Sequence, residues 1–445
     1  MPALLSCTLA ACSLTPRYDV PEQPVPSAWE QAQTAEDMRA PAPEWWNAYG
    51  STELDALIAQ AMAGNHDLNA AVARIGQARA ALRVARASLW PAASASATAS
   101  RDRVDDGGTV TSEDSRIGLS IDYDADLWGA NRNAAESSAL RLALSEHNRD
   151  AIRLALQADV ALAYFQLLAL EDRIAIAERN LDAARELLRL IEVRFDNGAA
   201  TALDLAQQRT TLLNIQAQIP VLHQASVETR HALAVLVARP PQELKLGAGS
   251  IADVALPAFD PGVPAEALFR RPDLRAAEAA LSAANADVGV ARAALFPDLG
   301  VSASFIATDF ASGGTATVAT LAASLAQTLF DGGARRGRIE LGLAERRELA
   351  ENYAQAVLLA LADVEDALSA VTTSARRVEL LTETAAQARE AYRLSRVRFD
   401  AGAIDLITVL DSQRTLLGAE DALVQARQAR LDASAGLVRA LGGGA

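Results

Sequence analysis

The sequence predicts a mixed α/β membrane protein that is mainly α-helical and made of two similar halves. Three observations predict it. Landmarks recur about 204 residues apart: Val193-Arg194-Phe195-Asp196-Asn197-Gly198 returns as Val397-Arg398-Phe399-Asp400-Ala401-Gly402. Ala87-Ser88-Leu89-Trp90-Pro91 returns as Ala293-Ala294-Leu295-Phe296-Pro297, and Asp126-Leu127-Trp128-Gly129 is answered by Thr328-Leu329-Phe330-Asp331-Gly332. The offsets, 204, 206 and 202, far exceed any solenoid period, so the repeat is a duplicated architecture. Second, aromatics make up only 4%, and Ala, Leu, Arg, Glu and Gln dominate stretches without Gly or Pro, as in long coiled-coil helices. Third, four short segments change from helical to alternating periodicity.

Residues 1–11 read as the remnant of a signal peptide. Leu9-Ala10-Ala11-Cys12 has the form of a lipobox, cleaved before a Cys that then carries lipid, although the basic residues expected upstream are missing. Residues 12–44, Pro-rich and aperiodic, read as a lipid-anchored strap. Repeat 1 spans residues 45–241. Ser51-Thr52-Glu53 caps a short helix, and Asn65-His66-Asp67 caps a second that Pro91 stops. Ala93, Ala95, Ala97 and Ala99 then alternate with Ser and Thr, and Ile117, Leu119, Ile121 and Tyr123 with Gly, Ser and Asp. That predicts a β-hairpin over about 93–125 with a loop over about 102–114.

A long helix follows to Phe195, free of Pro and Gly from about Asn131, with a seam at Ile174, Ala177, Leu181, Ala184, Leu188, Ile191 and Phe195. Its spacing of 3.5 is that of a coiled coil, and its length is roughly 100 Å at 1.5 Å per residue. Gly198 ends it in a left-handed turn. A helix returns from Leu203 to about Val237, with a kink or break expected at Pro220. Residues 242–264 read as a linker. Repeat 2, residues 265–445, repeats the order: a helix opened by Arg271-Pro272-Asp273, a hairpin over about 299–327 with its loop near 307–316, a long helix to Phe399, a turn at Gly402 and a return from Leu406 to about Leu441.

Formal charge is −15, with no concentrated basic face, so nucleic acid is excluded as a partner. Cys7 and Cys12, the only cysteines, cannot build a disulfide framework. The longest charge-free run, Phe310 to Phe330, contains Gly313-Gly314 and many Thr and Ser, which a spanning helix disfavours. A crossing of the membrane must therefore use strands. Four strands cannot close a barrel, and an open hairpin in lipid leaves backbone groups unpaired. Three chains supply twelve strands, an even number suited to an antiparallel barrel, and their helical stretches can close into a tube. A homotrimeric twelve-stranded β-barrel, continuous with a long α-helical barrel, would meet these demands, and it is the fold that the resemblance given next implies.

Taken together, Trp45-Trp46, Leu54-Asp55-Ala56-Leu57-Ile58, Asn65-His66-Asp67-Leu68, Arg270-Arg271-Pro272-Asp273-Leu274, the two Leu-aromatic-Pro helix ends, both Val-Arg-Phe-Asp-x-Gly turns and Leu410-Asp411-Ser412-Gln413-Arg414 resemble the outer-membrane efflux channels of the TolC and OprM type. The lipobox is similar to that of the OprM branch. The resemblance covers essentially the whole mature chain. It implies a lipid-anchored trimer in the outer membrane that extends into the periplasm and passes small molecules outward without catalysis. It implies two partners, a periplasmic adaptor and an inner-membrane pump of the RND type, and no cofactor beyond the lipid on Cys12.

The same resemblance puts a periplasmic gate at Asp411, with Ile407 as an apolar constriction and Thr408 where some relatives carry a second Asp. Three copies of one Asp facing an axis would attract cations. Otherwise Asp411 is a solvated helix residue. The equivalent site of the first repeat is Gln207. The tips, Asn197, Gly198 and Ala199 with Ala401, Gly402 and Ala403, resemble adaptor-contact surfaces, and their Gly residues also simply end helices. Trp45, Trp46, Trp90 and Trp128 are packing or interface anchors, with core packing expected for at least two. The four histidines lack metal-ligand spacing, so no metal site is expected, and Asp363, Glu365 and Asp366 read as a solvated helix face. No nucleophile motif or phosphate loop is present, so no enzymatic activity is expected. The rival readings are a periplasmic coiled-coil scaffold or adaptor without a pore, and the exit duct of a type I protein secretion system.

Overall fold

The computed structural model describes residues 14–17, 24–31, 40–105 and 109–444. A short 3-10 helix (Trp45–Tyr49) leads to α1 (Thr52–Gly64), α2 (His66–Ala87), β1 (Ala92–Asp105), β2 (Thr109–Ala125), α3 (Ala130–Asp196) and α4 (Ala202–Leu236). The second half contains α5 (Pro264–Arg270), α6 (Pro272–Ala293), β3 (Asp298–Phe310), β4 (Thr315–Ala326), α7 (Ala334–Asp400) and α8 (Leu406–Ala440). The duplication is visible in the lengths: α3 and α7 each have 67 residues, and α4 and α8 each have 35. No described helix is both long and apolar enough to cross a membrane.

The helix starts follow the capping chemistry. The Ser51 hydroxyl accepts from the Leu54 amide at 3.2 Å, and Asn65 Oδ1 accepts from the amides of Asp67 and Leu68 at 3.0 Å each. Helix α4 opens with a reciprocal box between Thr201 and Asp204, and α8 with Asp405 accepting from the Thr408 amide. Two expectations need correction. Helix α4 runs without a break through Pro220. The ring removes one amide donor, but Gln216 and Pro220 are both exposed, so the orphaned carbonyl can turn to water. The strands also run further into the expected loops, to Asp105 and from Thr109 in the first hairpin, and to Phe310 and from Thr315 in the second. Polar side chains continue the ladder there through cross-strand pairs: Ser100 donates to Asp114 at 2.8 Å, and Arg101 meets Glu113 at 3.0 Å.

The chain divides into two compact units, each drawing on both halves. One comprises Met1–Gln23, Val72–Asn148 and Asp273–Ala356. It contains all four strands as one antiparallel sheet in the order β1-β2-β3-β4. The described segment Leu14–Arg17 lies along α6: Asn285 donates to the Pro16 carbonyl at 2.9 Å, Arg292 to that of Leu14 at 3.2 Å, and Thr15 to Asn133 at 2.9 Å. Gly289 permits this approach, since a Cβ there would stand 2.5 Å from the Thr15 hydroxyl.

The other unit comprises Pro24–Ala71, Arg149–Pro272 and Val357–Ala445 and is helical. Its main core gathers Trp45, Trp46, Tyr49, Leu54, Ile58, Phe165, Leu233 and Val438. The Tyr49 hydroxyl, inside this core, donates to Ser434 at 3.0 Å, and burial pushes its pKa up. Arg271, 9% exposed, donates to the Ala440 carbonyl at 2.9 Å and to Asp363 at 3.0 Å.

Asp432 on α8 is partly buried, with Oδ1 unpartnered among the described residues and Oδ2 accepting from Gln428 at 3.3 Å. Burial pushes its carboxyl up to about 7, against the opposing effect of Gln428. The folded value is raised above an unfolded one of about 3.9, so the native state binds a proton that the unfolded chain has already lost. Its stabilising effect is complete below about pH 4 and is lost as pH rises through about 7. Asp432→Asn is expected to flatten this dependence, melting above the parent at pH 8 and with it below pH 4 in circular-dichroism scans.

Candidate functional site

The sheet register brings most of the large apolar residues of the four strands onto one face, while Ile306, Val318 and Phe310 fall on the other. Leu119 stands opposite Ala95 and Phe305, Ile121 opposite Ala93 and Ala303, and Leu321 opposite Ala303. The alternate positions form a polar face that includes Ser94, Ser120, Asp122, Ser302 and Ser304. On the apolar face Ile117, Leu119 and Ile121 are 68%, 58% and 49% exposed, and Leu321 is 80% exposed. Exposed residues of this size in one continuous band need a partner, either lipid or protein. From Leu299 to Ala307 the band follows eight strand steps, about 26 Å at 3.3 Å each, and about 20 Å once tilted by roughly 40°. That approaches the apolar height of an outer-membrane barrel. Strands β1 and β4 each pair on one edge only, leaving two long unpaired backbone edges.

At the hairpin tips the two turns share their geometry. Gly198 and Gly402 have φ of 75° and 71°. The Ala199 amide donates to the Arg194 carbonyl at 2.7 Å and Gly198 to Phe195 at 2.9 Å; Ala403 donates to Arg398 at 2.8 Å and Gly402 to Phe399 at 3.0 Å. This is the bonding that ends a helix through a left-handed residue. Asn197, Gly198, Ala199, Ala401, Gly402 and Ala403 are all exposed. The adjoining side chains differ between the copies. The Arg194 guanidinium lies 4.3 Å from the Phe399 ring centroid and donates to the Phe399 carbonyl at 3.4 Å, whereas Arg398 is exposed.

Helix α8 separates its faces cleanly at the predicted gate. Leu406, Val409, Leu410 and Gln413 are buried, while Ile407, Thr408, Asp411 and Arg414 are exposed on the other side. Thr408 is committed to the helix cap, donating its hydroxyl to Asp405 at 2.6 Å, and these bonds hold the Asp405 carboxyl below its ordinary value. Asp411 stands 3.8 Å from Arg414. A groove of about 580 Å³ is lined by Gln207, Thr211, Ile407, Thr408, Asp411 and Arg414. Arg414 entered the sequence reading only as part of the family motif, with no role beside Asp411, although its i,i+3 spacing was available as a signal. The burial of two glutamines was not foreseen: Gln208 donates to the Ala184 carbonyl at 2.7 Å, and both amide atoms of Gln413, 1% exposed, lack partners among the described residues. Such amides are costly in a packed seam and set this level of the coiled coil apart.

The remaining candidates separate by environment. Trp45 and Trp46 are core residues, Trp128 stacks on Phe296 at 4.7 Å and donates to the Pro297 carbonyl at 2.8 Å, and Trp90 is 74% exposed. The Asp363–Asp366 cluster is not simply solvated. Asp363 pairs with Arg271, and Glu365 accepts from the backbone amides of Glu30 and Gln31 at 2.8 and 3.4 Å. Cys7 and Cys12 lie outside the described residues.

Comparison with known proteins fits this geometry. The model of a family described as outer membrane efflux protein matches residues 57–239 and again residues 263–443. The pyoverdine export outer membrane protein OpmQ of Pseudomonas aeruginosa is 40% identical over 453 residues, covering 98% of this chain and 94% of the relative. Outer membrane protein OprJ of the same species is 31% identical over 462 residues, covering 99% and 95%. Among solved structures, the outer-membrane channel OprN aligns with a TM-score of 0.91 at 30% identity, covering 97% of this chain and 99% of that one. The open state of the Neisseria gonorrhoeae MtrE outer membrane channel aligns with a TM-score of 0.87 at 28% identity, covering 97% and 98%.

Proposed function

The chain belongs to the outer membrane efflux protein family and is an outer-membrane efflux channel subunit, and from that premise we propose that three copies close a twelve-stranded barrel continuous with an α-helical tube in the periplasm. The observation that carries this reading is the amphipathic four-stranded sheet with two unpaired edges. Mainly apolar on one face and mainly polar on the other, it suits a wall between lipid and water, and its edges are satisfied only by further strands. Helices α3, α4, α7 and α8 supply each copy's share of the tube.

The exposed stripe Ile407, Thr408 and Asp411 forms the periplasmic gate, and the turns at Asn197–Ala199 and Ala401–Ala403 meet a periplasmic adaptor linked to an RND-type inner-membrane pump. The duct is passive and catalyses nothing. Two relatives named for pyoverdine export, 40% and 39% identical, support a secreted siderophore-like small molecule as cargo. A lipid on Cys12 anchors the N-terminus.

Native mass spectrometry of the detergent-purified full chain tests the assembly: a trimer is expected, and a chain that stays monomeric would overturn the reading. The anchor has its own test. Cys12→Ser should abolish palmitate labelling while leaving the trimer intact, and labelling that persists would refute lipidation at Cys12.

A further inference from the structure

Two ring contacts among the described residues join a side chain of the first repeat to one of the second, and each leaves its duplicate unmade. In the unit that holds the sheet, Trp128 stacks on Phe296, centroids 4.7 Å apart. The repeat counterparts of these two residues are Phe330 and Trp90, which are 89% and 74% exposed. In the helical unit Arg194 lies over the ring of Phe399 at 4.3 Å, and Phe399, packed with Leu187, Ile191 and Leu406, is 5% exposed. The counterparts there are Arg398 and Phe195. Phe195 is 39% exposed although it occupies a coiled-coil seam position, and nothing among the described residues pairs with Arg398. A duplicated chain makes each repeat-1-to-repeat-2 contact once internally. Its duplicate joins repeat 2 of one copy to repeat 1 of the next when copies close a ring.

We propose that the seam between subunits is built by this rule: Phe330 of one copy stacks on Trp90 of the next, and Arg398 of one copy covers Phe195 of the next. The inference rests on the trimeric reading above and names the residues that make it. Both contacts are chemically suitable. Two aromatic rings left bare beside a strand end bury large area when stacked, and a guanidinium over a phenyl face is favourable once water is displaced. The seams are not identical along their length. Arg173 and Asp421 form an ion pair at 2.6 Å inside one chain, whereas their counterparts are Arg377 and Ala217, which cannot. The seam between copies therefore lacks that bond and depends more on the aromatic contacts.

Cysteine pairs in the full-length protein test the rule, with bismaleimidoethane as the cross-linker and the parent chain, carrying only its own cysteines, as background. Phe330→Cys with Trp90→Cys, and Arg398→Cys with Phe195→Cys, are expected to give covalent dimers and trimers on denaturing gels. Trp128→Cys with Phe296→Cys, and Arg194→Cys with Phe399→Cys, should be linked within single chains. If the protein is a trimer by native mass while the first two pairs stay monomeric, the seam is overturned and those aromatics face lipid or solvent instead. If the native mass is not a trimer, the assembly reading fails and the seam with it. Should the paired variants misfold, p-benzoyl-phenylalanine replacing Phe195 alone gives the same answer. After irradiation it should attach to the Arg398-bearing peptide of another chain, and attachment within its own chain would refute the seam.

Discussion

Arg271→Ala is expected to lower the stability of the chain by about 1–3 kcal/mol, the usual cost of leaving a buried acceptor without its donor. Arg271 is nearly enclosed and donates to the carbonyl that ends α8, at Ala440, and to Asp363 on α7. Truncation leaves that carbonyl without its donor. Asp363→Ala should cost far less, about 1 kcal/mol or below, because the Asp363 side chain is 54% exposed and water can replace it. Chemical denaturation of both variants, followed by circular dichroism, checks the order. Equal losses would mean that the ion pair, and not the carbonyl contact, holds Arg271 in place.

The second large effect concerns the gate. Asp411→Asn should shift ion selectivity away from cations, and Asp411→Ala should raise single-channel conductance several-fold by removing charge and bulk from the constriction. Arg414, 3.8 Å away, offsets part of the Asp411 charge. Arg414→Gln is therefore expected to increase cation preference, opposite in sign to Asp411→Asn. Reversal potentials in a salt gradient measure both. Identical shifts from the two substitutions would place neither side chain at the ion path.

Much of the fold was legible in local sequence, because the relevant physics is local. Gly198 and Gly402 each had to adopt a left-handed conformation, Asn65 and Ser51 had to cap, and alternating Ala-Ser and Ile-Gly runs had to split a sheet into two faces. The strand ends were less legible. Arg101, Glu113 and Asp114 look like loop residues in one dimension and become ladder residues only when paired across the hairpin. The break expected at Pro220 is absent, since the rule against proline in a helix weakens where the orphaned carbonyl meets water. At the candidate site, Ile407 and Asp411 were named from the family resemblance and not from periodicity, and both are exposed opposite buried Val409 and Leu410. Partners brought by tertiary packing were hidden from the sequence. Arg194 on Phe399 and Gln208 on Ala184 join separate helices, and no window of sequence contains both members.

The central claim is that this chain makes a conducting pore, and a planar bilayer measures that most directly. Full-length protein, confirmed as a trimer by native mass and inserted into outer-membrane lipid, should produce discrete conductance steps that grow in Asp411→Ala. A confirmed, inserted trimer that conducts no ions, in the parent and in Asp411→Ala alike, would contradict it.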